Sequence, residues 1–182
     1  MNYKLWLFIA ISLFSGGLLL GLATSTNVLS LLIEDMAALD DMVELLAPLP
    51  QASVAIFIYL KNASAILISF ALSPFFCIVP ILALLLNGWL LGVISIAVVQ
   101  ETSLLYLLSG LLPHGVFELP AFFIGEVAAL SFGSAVVIAL FNREKRNWQY
   151  LYPRRNLRFL SIALVLLLPA AVIETYVTPL FL

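Results

Sequence analysis

Apolar runs close to the length of a bilayer crossing follow one another along this chain, at residues 5–23, 52–72, 75–99, 116–141 and 157–179. A helix rises about 1.5 Å per residue, so roughly 20 apolar residues cover a hydrocarbon core about 30 Å thick. A water-soluble fold of this size needs polar residues recurring on the outer face of every helix, and these runs do not supply them. Composition agrees: of 182 residues, 64% are apolar and 10% charged, where a soluble domain carries roughly 25% charge. The chain reads as an all-α, polytopic transmembrane helical bundle, a single integral membrane domain over residues 1–182.

The first run is too long for the h-region of a cleaved signal peptide, roughly 7–15 residues, despite Lys4 before it and Gly21-Leu22-Ala23 after it. It reads as a retained first helix. Gly17 and Gly21 have GxxxG spacing, which lets a neighbouring helix approach closely. Residues 24–50 then hold Glu34, Asp35, Asp40, Asp41 and Glu44, half of the ten acidic residues, with no Lys or Arg. Leu29, Leu32, Ile33, Met36, Leu39, Met42, Val43 and Leu46 recur between them at helical spacing, so residues 28–47 form an amphipathic interfacial helix. Cys77, the single cysteine, lies in an apolar run and reads as a small buried hydrophobe. Pro80 predicts a kink in the third span.

Residues 102–112 are apolar but number only 11, about 16 Å of helix, half of a crossing. Pro113 and Gly115 then interrupt the pattern. Residues 102–113 are therefore expected to form a re-entrant half-helix feeding the span 116–141, with the break inside the membrane. The loop 142–158 carries Arg143, Lys145, Arg146, Arg154, Arg155 and Arg158 against Glu144. By the positive-inside rule this loop and the N-terminus are cytoplasmic, and segment 24–50 and the C-terminus lie outside. With residues 102–112 drawn into a crossing the parity is expected to fail, which favours the re-entrant form. Trp148, Tyr150 and Tyr152 read as interfacial anchors rather than a nucleic-acid surface.

Ionisable residues inside spans cost several kcal/mol and normally face the bundle interior in pairs. Here they are Lys61, His114, Glu118, Glu126 and Glu174, joined by the amides Asn62 and Asn87. His114 and Glu118 are four apart and share a helix face, and Glu174 falls at about the depth of Glu118, so the three form a polar cluster in the outer half of the membrane. Glu126 belongs to a deeper layer, where the mid-span Lys61 is its expected counter-ion. Asn62 and Asn87 are expected to satisfy loosened backbone near Pro80 or Pro113. Three roles are open to the cluster: tying down the broken helix, forming a proton or ion path, or holding a divalent metal, since imidazole and carboxylate suit Zn²⁺, Mn²⁺ or Fe²⁺. No Walker loop, GxSxG, HExxH or CxxC pattern is present, so no catalytic residue is assigned and no cofactor is expected apart from such a metal.

The succession Asn62, Asn87-Gly88 with Gly92, Pro113-His114-Gly115-Val116-Phe117-Glu118-Leu119-Pro120-Ala121, Gly125, Gly133, Ala170-Ala171-x-x-Glu174 and Thr178-Pro179 resembles the stage II sporulation protein M family over nearly the whole chain. Glu126 departs from the small residues expected there. The resemblance implies a multi-spanning protein that, in spore formers, anchors two cell-wall hydrolases at the membrane during engulfment.

Residues and resemblance together give a non-enzymatic membrane scaffold or anchor, for partner proteins or for membrane remodelling, as the first expectation. An ion- or solute-translocating transporter or channel using buried carboxylates is the second. An intramembrane metal-dependent hydrolase is the third. Expected partners are the bilayer, a second copy in a homodimer, and membrane or cell-envelope proteins, with no nucleic acid.

Overall fold

A computed structural model describes residues 3–24, 49–142 and 153–181. The amphipathic helix expected at 28–47 and most of the basic loop lie outside the described residues. The elements are α1 (Tyr3–Leu22), α2 (Gln51–Leu72), α3 (Ile78–Glu101), α4 (Leu104–Phe141), α5 (Pro153–Tyr176) and a closing 3₁₀ turn (Thr178–Leu180). Among the described residues, five helices are long and apolar enough to cross a membrane. Their outward faces carry large apolar side chains, among them Phe8, Leu19, Leu105 and Val165, each more than 60% exposed, as lipid contact requires.

Between lipid and a helix surface there is little hydrophobic driving force, so the helices associate through close packing. The tightest case is α1 against α3. The two run parallel, with the Gly17/Gly21 pair facing the Gly88/Gly92 pair. A Cβ at Gly17 would stand 2.1 Å from the Leu85 carbonyl oxygen, one at Gly21 2.1 Å from that of Trp89, and one at Gly88 2.1 Å from that of Phe14. The backbones touch, and only glycine leaves room. Above this seam, Trp89 Nε1 donates to Thr24 Oγ1 at 3.1 Å.

Helix α4 is the central post. From Gly125 to Ser131 every residue is buried, whichever way it faces, and most are small. Gly125 meets Ile66 of α2, and Gly133 lies against the Ser73 carbonyl in the α2–α3 turn. That turn is closed by the Cys77 amide donating to the Ser73 carbonyl at 3.0 Å, with Phe76 and Cys77 in the left-handed region. The buried Cys77 thiol points at the Leu130 carbonyl, 3.7 Å away. Helix α5 packs along α4 and α2. The start of α5 also meets the start of α1: the Tyr3 hydroxyl donates to Asn156 Oδ1, Arg155 stacks over the Tyr3 ring at 4.1 Å, and Phe159 packs beside it. The N-terminus and the beginning of α5 thus share one end of the bundle.

Two sequence expectations are corrected. No break occurs at Pro113 or Gly115: α4 is one 38-residue helix, with Pro113 and Pro120 inside it, so residues 102–113 do not form a separate re-entrant half-helix. A proline in a helix interior costs about 3 kcal/mol. Ending a helix in lipid strips partners from up to four N–H and four C=O groups, each costing several kcal/mol, so continuity is the cheaper arrangement. Residues 104–112 are therefore part of the fourth candidate span, and the number of candidate spans among the described residues stays at five. The parity argument did not distinguish the two forms. The kink expected at Pro80 is also absent, because Pro80 is the third residue of α3, where a helix has no amide hydrogen bond to lose.

The glycine seam yields a matched test. Gly17→Ala or Gly88→Ala should destabilise the protein by about 1–3 kcal/mol or more through overpacking, seen as a lowered unfolding temperature in detergent. Gly16→Ala, next to the seam but with no atom within 4 Å of its Cβ position, should leave it unchanged or raised.

Candidate functional site

The ionisable residues gather in two layers along α4. The outer layer borders a cavity of about 270 Å³ whose lining includes Asn62 of α2, Asn87 of α3, His114 and Glu118 of α4, and Glu174 of α5, with Phe14, Ile66, Leu90, Leu119 and Leu167 as its apolar walls. His114 Nε2 lies 3.7 Å from Glu118 Oε2, one helical turn away. One ligand atom from each of His114, Glu118 and Glu174 can be chosen so that all three lie within 4.8 Å of one another. The predicted cluster is therefore assembled, by a continuous helix rather than a hairpin tip.

Each of the two α4 residues is aimed by a partner on another element. Asn62 Nδ2 donates to Glu118 Oε1 at 3.1 Å. Thr178, in the 3₁₀ turn after α5, donates to the Ile173 carbonyl at 3.3 Å and lies 3.3 Å from His114 Nδ1. The Thr178 hydroxyl can receive an N–H from Nδ1 or donate to it, according to the tautomer of the ring. With the proton on Nδ1, the Nε2 lone pair of the neutral ring faces Glu118. Glu174 interacts electrostatically with His114, Glu118 and Lys61.

The deeper layer differs from the expectation. Glu126 is 1% exposed, and its partner is Ser69 of α2, whose hydroxyl donates to Oε2 at 2.6 Å, while Oε1 has no protein partner. Lys61 is exposed and its charge acts on Glu174 instead. The cause is register. Helices α2 and α4 run parallel with a nearly constant offset, Asn62 to Glu118 at 56 and Ser69 to Glu126 at 57 residues, so Lys61 lies two turns above the level of Glu126. Asn62 serves a carboxylate rather than loosened backbone, whereas Asn87 does bond backbone, donating to the Ala83 carbonyl at 2.8 Å on its own helix.

Ser69 and Thr178 escaped the sequence reading as partners. Thr178 stood in a quoted motif, but a threonine four residues past Glu174 carries no signal that its hydroxyl holds a histidine on another helix. Ser69 is one of several serines in spans, most of which bond their own helix.

A family model described as Stage II sporulation protein M matches residues 6–179. The chain belongs to that family. A relative, an uncharacterized protein of Methanocaldococcus jannaschii, is 27% identical over 177 residues, 97% of this chain and 95% of the relative. No solved structure matches the chain. Family and fold together make this a multi-pass membrane protein.

The Ser69–Glu126 pair can be weighed by a double-mutant cycle in mixed-micelle unfolding. Ser69→Ala alone should cost about 1–3 kcal/mol, the cost of leaving a buried acceptor bare. Combining it with Glu126→Met, which removes both polar partners, should recover most of that loss. A double variant no more stable than Ser69→Ala would show that Glu126 has a use beyond this hydrogen bond.

Proposed function

We propose that this protein is a non-enzymatic membrane scaffold, a bundle that holds partner proteins at the membrane through its two charged aqueous segments. The observation that carries this reading is the unbroken α4. Transport built on a discontinuous helix needs half-helix ends at the midplane to bind and release its cargo, and α4 passes His114 and Glu118 with no such ends. Its middle is closed off by small, buried residues, and its carboxylates are hydrogen-bonded to α2. These features suit a rigid post.

In this proposal the N-terminus and the loop 142–158 are cytoplasmic, and the acidic segment 24–50 and the C-terminus are outside. The excess of Lys and Arg in that loop supports it, as does the meeting of the starts of α1 and α5 at one end of the bundle. Segment 24–50 presents five carboxylates to a partner of basic surface, and the loop presents six cations to anionic lipid headgroups or an acidic partner. Family members in spore formers, as anchors of envelope hydrolases, are an instance of the same kind of work.

Two measurements test this. Vesicles reconstituted with the pure protein should pass protons, Na⁺ and divalent ions no faster than empty vesicles across imposed gradients. Tagged protein recovered from its native membrane should bring down a partner in fixed stoichiometry. That partner should be lost when Glu34, Asp35, Asp40, Asp41 and Glu44 are replaced by their amides. A gradient-driven flux specific to one ion would replace the scaffold reading with a transport one.

A further inference from the structure

The outer cluster has a feature that scaffolding does not use. The Thr178 hydroxyl lies 3.3 Å from His114 Nδ1, so Nε2 is the ring nitrogen that faces Glu118 Oε2, 3.7 Å away, and Asn62 holds Glu118 by its other oxygen. At that separation a cation, or a proton on the ring, can lie between the nitrogen and the carboxylate oxygen. Glu174 brings a second carboxylate to the same point. When it binds a metal an imidazole donates as the neutral ring, and with two carboxylates it makes a donor set of charge −2, which one divalent cation matches.

We propose that His114, Glu118 and Glu174 bind a divalent transition-metal ion, of the zinc or manganese type, at the wall of the 270 Å³ cavity. One nitrogen and two oxygen donors suit these ions rather than Ca²⁺ or Mg²⁺, which favour all-oxygen sites. In a tetrahedral site with bonds of about 2.0–2.1 Å, donor atoms stand roughly 3.3 Å apart. The atoms here lie within 4.8 Å of one another, so side-chain rotation of about an ångström closes the site with no helix movement. The surrounding bonds match those that orient metal ligands elsewhere: a histidine whose second nitrogen bonds a hydroxyl, and a carboxylate fixed by an amide. The fourth coordination position faces the cavity. Because the donors come from α4 and α5, a bound ion ties the end of α5 to the central post. The site stands whether or not partner proteins dock on the charged segments.

Titration of the tag-free, chelator-stripped full chain in detergent with ZnCl₂, and separately with MnCl₂, tests the proposal. For at least one of the two ions, calorimetry should show one saturable equivalent per chain, with a raised unfolding temperature. Glu174→Gln and His114→Ala should abolish this binding, and Asn62→Ala should weaken it by about 10- to 100-fold. Glu126→Gln, in the deeper layer, should bind as the native chain does. His114 is the single histidine, so the Co²⁺-loaded native protein should show one paramagnetically shifted imidazole resonance, a readout that needs no substitution to fold. No saturable equivalent of either ion in the folded native chain would overturn the site. So would binding that survives Glu174→Gln, or a Co²⁺ complex without the shifted imidazole.

Discussion

Lipid offers no hydrogen bond, and most of this structure follows from that. A backbone N–H or C=O left bare in hydrocarbon costs several kcal/mol, so segments that cross must stay helical from end to end, and polar side chains must find partners within the protein. Many do so on their own helix: Ser64, Asn87, Ser95, Ser109 and Thr175 each bond a carbonyl three or four residues back. The same constraint carries α4 through Pro113 and Pro120. In water, Pro113-His114-Gly115 would be a natural place to stop a helix, because solvent would satisfy the freed groups. In the membrane no such compensation exists.

With hydrophobic transfer largely removed as a driving force, contact quality decides which helices pair. The glycine seam of α1 and α3 achieves backbone contact along one side of the bundle, and the small residues of α4 achieve it through the middle. Larger side chains fill what remains, with Phe14 of α1 set edge-on to Phe123 at 5.2 Å and Phe70 of α2 stacked on Phe132 at 5.0 Å. Cross-helix polar pairs then fix register. Asn62 to Glu118 and Ser69 to Glu126 lie on parallel helices at nearly equal offsets, so a slide of α2 along α4 would break both at once. The fold therefore uses its few intramembrane polar groups as alignment pins, and it leaves the outer group, where His114 and Glu118 meet Glu174 beside a cavity, with donor atoms still facing one another.

Much of this was legible in the sequence. Run length and the scarcity of charge gave the five candidate spans, and GxxxG spacing marked Gly17 and Gly21 as a contact face. The i, i+4 placement of His114 and Glu118, with the depth of Glu174, was enough to anticipate the cluster, because these are consequences of helical geometry alone. The pairing of Lys61 with Glu126 failed because it needed the axial register of two helices, which no single-chain periodicity contains. The expected break at Pro113 failed because the short run 102–112 was counted apart from the span after it, whereas one helix runs through both.

The sequence by itself determined that this is a multi-pass membrane protein, where its candidate spans lie, and which few ionisable residues they carry, since these depend on residue type and spacing along one helix. Only the tertiary structure decided what those residues face. Ser69 meets Glu126, Thr178 meets His114, and Asn62 meets Glu118 across distances of 56 to 64 residues in sequence. The physical reason is that helix register is set by steric fit between surfaces, at Gly125 against the Ile66 side chain, at Gly133 against the Ser73 carbonyl, and along the glycine seam. That fit is a property of two surfaces together, and neither surface specifies it alone.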